Sequence, residues 1–429
     1  MSTTRGATPD EPTSMLGTHL TLDQAMRRAL VLAARGPAGG ANPQVGAVIL
    51  AASPDRGEFR DGSDSAPVLS VAERPAGRAE PTYRVLGEGW HRGAGTAHAE
   101  VDALASAAAA GNDVRGATAV VTLQPCNATG RTGPCTQALI AAGIAQVWFS
   151  ATDPLAEAAG STAALEVAGI EVHPGLLETE GTELLHPWLT SVALGRPYVT
   201  LKLAASLDGR IAAADGTSRW ITGPASRAHA HAVRSTVGAI AVGTGTVATD
   251  DPTLTARTPD GDLAVHQPLR VVVGERHVPH DARLRGRGGD LVHLPTHDVA
   301  QVLADLSARG VRHLLVEGGP TLTTAFLAAG VVDEVHAYLA PVALGAGLSA
   351  VGDFGVGTIA DAARWRTHHV ERLADDVLLV ARSVLAGTAR SVPARTAQTG
   401  TPRGTRIGTA DHGASSRHAS ARHDPHGED

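Results

Sequence analysis

Apolar residues along the first half of the chain follow two alternating spacings. Residues 22–35 and 97–111 carry them three and four positions apart, as on one face of a helix, and Gly111 is placed to end the second helix. Residues 135–144 return to this spacing. Short apolar runs typical of strands lie around these helices, at 45–50, 83–89, 118–123 and 145–151. The alternation predicts a layered α/β domain.

A second series of strands begins near residue 196, with helical segments between most of its members. Its apolar runs lie at 196–210, 239–246, 269–273, 313–321, 334–342 and 375–382. We therefore predict two α/β domains, over residues 19–183 and 197–386, with a linker at 184–196. Residues 51–82 are rich in Pro, Gly, Asp and Ser, which predicts a surface loop inserted in the first domain.

The two ends of the chain lack the apolar residues that a packed core needs. Residues 387–429 contain no aromatic side chain and almost no large aliphatic one. Such a segment cannot bury enough apolar surface to offset the entropy of ordering it, so we predict a disordered tail there and a similar one over residues 1–18.

Charge and composition exclude some functions. The formal net charge is −7, with no long basic run, which disfavours nucleic-acid binding because phosphate neutralisation needs clustered Lys and Arg. No apolar run reaches the roughly 18 residues of a membrane span, and the first residues lack the apolar segment of a signal peptide. We expect a cytoplasmic protein with no membrane partner; a homo-oligomer is compatible with the sequence.

The chain has two cysteines, Cys126 and Cys135, both in one Pro- and Gly-rich loop. A disulfide or two buried thiols is one interpretation, but closely spaced cysteines in a cytosolic chain more often bind metal or take part in catalysis. His98 and Glu100 begin the helix at 97–111. One His and two Cys make three ligands, the number found in catalytic zinc sites that keep a position for water.

Glu100 completes a pattern typical of zinc nucleobase deaminases. That pattern is His-x-Glu followed by Pro-Cys, a spacer and a second Cys, and the carboxyl group moves the proton of the activated water. Here eight residues separate Cys126 from Cys135 instead of the usual two. The sequence therefore predicts a catalytic zinc ion bound by His98, Cys126 and Cys135, with Glu100 as the acid/base.

The long spacer, "CNATGRTGPC", resembles that of the bifunctional riboflavin-biosynthesis deaminase/reductase family. The resemblance extends over about residues 20–385 and includes the stretches "NPQVGAV" (42–48), "GEGWHRGAGTAHAEVDAL" (87–104), "LKLAASLDGRIAAADGTSRWITGP" (201–224), "VGTGTVATDDPTLTAR" (242–257) and "LLVEGGPTL" (314–322). It implies a cytidine-deaminase-like α/β/α sandwich followed by a dihydrofolate-reductase-like α/β domain. It also implies two reactions: deamination of a diaminopyrimidinone ribosylamine 5′-phosphate, then NADPH-dependent reduction of its ribosyl group to a ribityl chain.

The resemblance also implies roles for residues of each domain. Positions matching substrate contacts are Asn42 and Arg131 in the first domain and Ser218, Arg234, Leu254, Arg257 and Glu317 in the second. Positions matching cofactor contacts are Ala204, Trp220, Thr246, Asp250, Gly319, Pro320, Thr321, Leu322, Thr323, Thr324 and Ala325. The "VEGGPT" turn is in addition a natural phosphate cradle, because glycines there precede a helix N-terminus. Either Asp250 or Glu317 is expected to supply the reductase proton.

Lys202 and Asp208 are interpreted as a charge pair at a strand end, outside the site. Several positions depart from the family. Gln124 stands where Glu is usual, Ala128 where His is usual, and His229 where Asp is typical; Gly274 and Glu275 replace a common Asp-Ser pair. None of these departures removes a zinc ligand or Glu100.

Two alternatives to the bifunctional enzyme are a zinc deaminase for a free base or tRNA fused to an unrelated reductase, and a reductase whose deaminase domain has weakened or decayed to a scaffold.

Overall fold

The structure, a computed structural model, describes residues 13–52, 80–127, 133–155 and 158–384. Most of the predicted insertion at 51–82, Ala128, Arg131 and the predicted C-terminal tail lie outside the described residues. Within the described part, no helix is both long and apolar enough to span a membrane.

The N-terminal domain is built on a six-stranded mixed sheet. Its elements are β1 (His19–Leu20), α1 (Leu22–Ala33), β2 (Gly46–Leu50), β3 (Tyr83–Trp90), α2 (Ala99–Ala109), β4 (Thr118–Leu123), α3 (Cys135–Ala141), β5 (Gln146–Ala151), α4 (Ser161–Val167) and β6 (Glu171–Pro174). The strand order is β1-β3-β2-β4-β5-β6. Strands β4, β5 and β6 run parallel, whereas β2 is antiparallel to both of its neighbours.

Helices cover both faces of this sheet. On one face, the alanines of α2 pack with Ile49, Val121 and Leu139. On the other face, Met26 and Leu32 of α1 pack against Val48 and Val120. Small alanine side chains bring α2 close to β3, where a Cβ on Gly87 or Gly89 would overlap the α2 backbone. The predicted α/β/α sandwich is confirmed.

The ordered fold begins earlier than the predicted N-terminal tail allows. The Ser14 hydroxyl and the Met15 backbone N–H both donate to the carboxylate of Glu88, and Gly17 N–H donates to Val85 O. Met15 also packs on the apolar cluster beneath α1. Local composition does not reveal long-range contacts of this kind, and for that reason the sequence predicted residues 14–18 as part of a disordered tail.

A helix occupies the region where a linker is predicted. Helix α5 spans Glu178–Leu194 and ends at Gly195, whose φ of 64° suits a helix end. Pro187 lies inside it. The helix buries Leu185 and Trp188 against Leu123 and Ala151 of the N-terminal domain, and this packing stabilises it despite the proline.

The C-terminal domain contains an eight-stranded sheet and a small two-stranded one. Its elements are β7 (Tyr198–Ser206), β8 (Arg210–Ala212), α6 (Pro224–Arg234), β9 (Ala239–Gly243), α7 (Thr244–Asp250), β10 (Leu269–Val273), β11 (Leu291–Leu294), α8 (Val299–Ala308), β12 (His313–Val316), α9 (Pro320–Ala328), β13 (Glu334–Ala340), β14 (Leu348–Ser349), β15 (Trp365–Leu373) and β16 (Asp376–Ser383). The large sheet has the order β11-β10-β9-β12-β7-β13-β16-β15, and β8 pairs with β14.

Six neighbouring strands, from β11 to β13 in the sheet order, pair in parallel and bring their carboxyl ends to one edge of the large sheet. Strand β16 pairs antiparallel with β13, and β15 pairs antiparallel with β16. In open sheets of this kind, ligands bind at that edge. Strands β9 and β12 end earlier than the sequence predicts. The glycine turns after them lead directly into helices, which begin at Thr244 for α7 and at Pro320 for α9.

Candidate active sites

Three side chains with metal-binding atoms meet at one end of the N-terminal sheet. His98 directly precedes α2, Cys126 follows β4, and Cys135 is the first residue of α3. The Nδ1 atom of His98 lies 3.2 Å from the sulfur of Cys135 and 3.5 Å from the sulfur of Cys126. Within the described part of the chain, this is the one group of His, Cys, Asp and Glu side chains close enough together to hold a metal.

The geometry and chemistry of this group fit zinc. A tetrahedral zinc ion with ordinary bond lengths to sulfur and nitrogen keeps neighbouring ligand atoms about 3.5 Å apart. Hydrogen bonds from the Cys135 thiol, and then from His98, lower the pKa of Cys126 to about 4 although burial opposes the shift. Cys126 is therefore a thiolate at neutral pH, the form that binds metal. The pKa of Cys135 is raised, because its proton is held in the hydrogen bond to Cys126 and the thiol is buried.

Glu100 lies in the first turn of α2, next to this group. Its side chain is buried, and that burial raises its pKa, with the Cys126 thiolate adding to the shift and His98 opposing it. Its carboxyl group interacts with the Cys135 side chain, which places it beside the three ligands without adding a fourth. A raised pKa makes the buried carboxyl group hold its proton more readily than a carboxyl group in water, which suits a general acid/base.

His91 belongs to the same site and was missed by the sequence analysis. Its Nδ1–H donates to Ala97 O at 3.1 Å, which leaves Nε2 to accept from the side-chain amide of Asn42 at 2.9 Å. The His91 ring lies edge-on to His98, with centroids 5.5 Å apart, and burial lowers its pKa. Asn42, predicted to contact substrate, is thus fixed beside the ligand group. The sequence did contain a signal for this role: His91 closely follows the strand predicted at 83–89 and lies seven residues before His98.

Gln124 has a local structural role. Its Nε2 donates to the Ser161 hydroxyl at 2.8 Å, and its Oε1 accepts from the Asp153 backbone at 3.3 Å. Both bonds are ones that a glutamine amide makes, one as donor and one as acceptor. Arg131 and Ala128 lie outside the described residues.

A cavity of about 1050 Å³ lies at the carboxyl edge of the large C-terminal sheet. The turns after β9, β10 and β12 line it, together with residues near β8 and β14. Of the predicted cofactor and substrate residues, it is lined by Thr246, Asp250, Gly319, Pro320, Thr321, Leu322, Ala325 and Ser218. Gly319 precedes α9 and donates its N–H to the Thr246 hydroxyl, so the two glycine turns meet.

Four predicted cofactor residues do not line this cavity. Ala204 packs with Tyr338 inside the sheet. Thr323 is buried and donates to Gly318 O, whereas the Thr324 hydroxyl accepts from Gly352 N–H. Trp220 is 55% exposed and stacks on Arg227. A helix places successive residues about 100° apart, so a contiguous stretch such as 319–325 cannot all face one cavity.

The predicted substrate residues Arg234 and Glu317 form a buried ion pair. The Arg234 guanidinium donates two bonds to the Glu317 carboxylate, at 2.7 and 2.9 Å, and Lys202 Nζ lies 3.5 Å from the same carboxylate. Burial by itself raises the pKa of Glu317, but the charges of Arg234 and Lys202 outweigh it and hold the pKa at about 2.

Lys202 therefore belongs to this cluster and is not paired with Asp208. The carboxylate of Asp208 instead accepts from the Ser206 hydroxyl and from the Leu344 and Gly345 backbone. The interpretation of Lys202 and Asp208 as a charge pair was wrong.

Leu254 and Arg257 lie in the loop after α7. Leu254 is buried with a φ of 57°, and its side chain packs among Val242, Val247 and Val272. Arg257 donates to Gly261 O within its own loop. The Arg234 guanidinium reaches this loop as well, by a bond to Thr255 O.

Asp250 and Glu317 differ sharply as proton donors. Burial raises the pKa of Asp250, with Arg219 opposing the shift, and Asp250 lines the cavity. Glu317 is held ionised by its cationic partners. A residue that keeps its proton nearer neutral pH is the better acid.

These two sites define a class: a zinc-dependent deaminase of the cytidine deaminase type, followed by a reductase domain with a cleft for a nucleotide cofactor. Residues 20–151 match the family described as cytidine and deoxycytidylate deaminase zinc-binding region, and residues 197–379 match the RibD C-terminal domain.

Relatives with both domains identify the family. The riboflavin biosynthesis protein RibD of Mycobacterium tuberculosis is 46% identical over 301 residues, 70% of this chain and 87% of the relative. RibD of Escherichia coli is 36% identical over 329 residues, 69% and 89% of the two chains. A Thermotoga maritima crystal structure of a diaminohydroxyphosphoribosylaminopyrimidine deaminase/5-amino-6-(5-phosphoribosylamino)uracil reductase is similar with a TM-score of 0.70 and 30% identity, over 84% and 98% of the chains. The chain belongs to the RibD family.

Proposed function

We propose that this chain catalyses two consecutive steps of riboflavin biosynthesis. The first is hydrolytic deamination of the diaminopyrimidinone ribosylamine 5′-phosphate, which releases ammonia. The second is NADPH-dependent reduction of the ribosyl group of the product to a ribityl chain. The observation that carries the proposal is that one chain contains both the His98–Cys126–Cys135 group with Glu100 beside it and the cavity at the reductase sheet edge.

Zinc held by His98 Nδ1 and the two cysteine sulfurs supplies Lewis-acid activation of water. The protein's own part in deamination is to move protons and orient the ring. Glu100 takes one proton from the attacking water and delivers it to a ring nitrogen of the pyrimidine. It then takes the second proton from the hydroxyl group that the water has added and delivers it to the amino group, which leaves as ammonia. Asn42, fixed by His91, presents its side-chain carbonyl oxygen as an acceptor to the substrate.

NADPH in the C-terminal cavity supplies the hydride for the second step. The N-terminus of α9 suits its phosphates, because the backbone N–H groups of Thr321 and Leu322 and the positive end of the helix dipole favour anions. Asp250 donates the proton that balances the hydride. The Arg234 and Lys202 cations beside Glu317 hold the polar end of the substrate.

A direct assay tests both steps. Purified protein is incubated with the diaminopyrimidinone ribotide, with and without NADPH, and products are identified by mass spectrometry. The deaminated ribosyl compound is expected without NADPH and the ribityl compound with it. A reductase with a decayed deaminase domain would convert only substrate that is already deaminated, and an enzyme for a free base or tRNA would leave the ribotide unchanged.

The finer expectations about partners and location form part of the same proposal. The substrate is a small molecule, and the acidic net charge of −7 supports the absence of a nucleic-acid partner. We place the enzyme in the cytoplasm, with no membrane partner, and a homo-oligomer is compatible with it.

A further inference from the structure

The loop that carries Asn42 touches the second domain. This loop, residues 36–42, runs from the end of α1 toward β2. Gly39 O accepts a hydrogen bond of 3.0 Å from the backbone N–H of Arg312, the residue before β12. A Cβ built on Gly238, the residue before β9, would overlap the carbonyl oxygen of Gly39. The two backbones are thus in direct contact, and this closeness requires glycine on both sides.

Helix α5 holds the same loop at a second point. The indole N–H of Trp188 donates to Ala41 O at 3.1 Å, and the rest of the Trp188 side chain is buried against Leu123 and Ala151. Ala41 directly precedes Asn42. Hydrogen bonds from outside the loop therefore fix it at residues 39 and 41. The side chain of the next residue, Asn42, donates to His91 beside the metal ligands.

We propose that the amino-terminal edge of the reductase sheet positions Asn42 for deamination, with Gly238, the Arg312 backbone and Trp188 as positioning residues. This inference rests on the proposed deaminase function and deepens it. The reductase cavity lies at the opposite, carboxyl ends of β9 and β12. A five-residue strand such as β9 is about 16 Å long, so a change at Gly238 leaves the reductase cavity intact.

The central variant is Gly238→Ala, which displaces Gly39 without touching any side chain of the deaminase site. Gly40→Ala is the matched control, because it adds the same methyl group to the same loop where no atom lies within 4 Å. For each variant, deamination is measured as separate kcat and KM values, alongside zinc content and the reduction rate of pre-deaminated substrate.

We expect Gly238→Ala to raise the KM of deamination, lowering kcat/KM about tenfold, the scale of one misplaced hydrogen bond. Zinc content, the reduction rate and the Gly40→Ala values stay at wild-type levels. A wild-type KM in Gly238→Ala overturns the inference while the proposed function stands. A wild-type enzyme that does not deaminate the ribotide overturns the proposed function and the inference with it.

A double-mutant cycle tests whether Gly238 acts through Asn42. Asn42→Ala is expected to lower deaminase kcat/KM about tenfold, and adding Gly238→Ala to it should cause no further loss, because the side chain to be positioned is already gone. If the double variant instead loses kcat/KM by the product of the two single losses, Gly238 acts independently of Asn42. If Gly238→Ala also abolishes reduction, Trp188→Phe replaces it: this variant keeps an aromatic ring but loses the N–H donor, and an unchanged deamination KM there overturns the inference.

Discussion

The buried cluster of Glu317, Arg234 and Lys202 gives the most quantitative prediction. Glu317→Gln keeps the shape of the side chain and removes its charge. The pKa of Glu317 is about 2 in the folded protein, against an ordinary value of 4.5, so ionisation in the fold is favoured by about 2.5 pKa units. At about 1.4 kcal/mol per unit, the charge contributes ~3 kcal/mol at neutral pH. The side chain is 6% exposed, so solvent screens little of this.

The pH dependence follows from the sign of the shift. Because the folded pKa is depressed, the contribution is complete above the unfolded value of 4.5 and disappears as pH falls toward about 2. We expect Glu317→Gln to unfold at a denaturant midpoint corresponding to ~3 kcal/mol lower stability at pH 7, with a smaller gap at pH 4. Loss of one partner from a buried ion pair costs a similar amount in other proteins.

Denaturant unfolding followed by circular dichroism at both pH values measures this difference. Glu371→Gln is the matched control, because the Glu371 side chain is 45% exposed on edge strand β15 and its partner is His369 at 3.6 Å. The control should change stability by less than about 0.5 kcal/mol. A Glu317→Gln variant within that same range, or a gap that does not narrow at low pH, would refute the account of the cluster.

Four further predictions concern the two chemistries. Cys135→Ala should lose zinc and deamination together while NADPH oxidation on pre-deaminated substrate persists; full zinc occupancy by metal analysis would contradict the ligand assignment. Glu100→Gln should keep zinc and slow deamination roughly 10²–10⁴-fold in a rate assay, and a near-normal rate would assign the proton to another group. Glu275 lines the reductase cavity, and we predict that its negative charge repels the 2′-phosphate of NADPH. Glu275→Ser should therefore raise the ratio of kcat/KM with NADPH to kcat/KM with NADH roughly fivefold. An unchanged ratio would mean that the carboxylate lies away from that phosphate. Ala128→His should raise deaminase kcat/KM between a few-fold and about a hundredfold by restoring a hydrogen bond to substrate, and no gain would mean that position 128 does not contact it.

The sequence alone predicted most of the elements and the zinc chemistry. Apolar spacing is a local property that reflects helix and strand periods directly, so α1, α2 and most strands could be read from it. The donor atoms of the zinc site could be identified because the chain has only two cysteines and because His-x-Glu followed by Pro-Cys and a second Cys is a chemically distinctive pattern. Family resemblance then supplied roles that no local pattern carries.

Only the tertiary structure determined which distant residues are neighbours. Val316 pairs with Leu201 in the parallel register of β12 and β7, which brings Glu317 next to Lys202 across more than a hundred residues of chain. Gly39, in a loop of the first domain, contacts Gly238 at the start of β9 in the second domain. Residues 184–194 form a helix because Leu185 and Trp188 pack against Leu123 and Ala151. Strand register and packing between domains depend on all the elements at once, so no local window of sequence contains them.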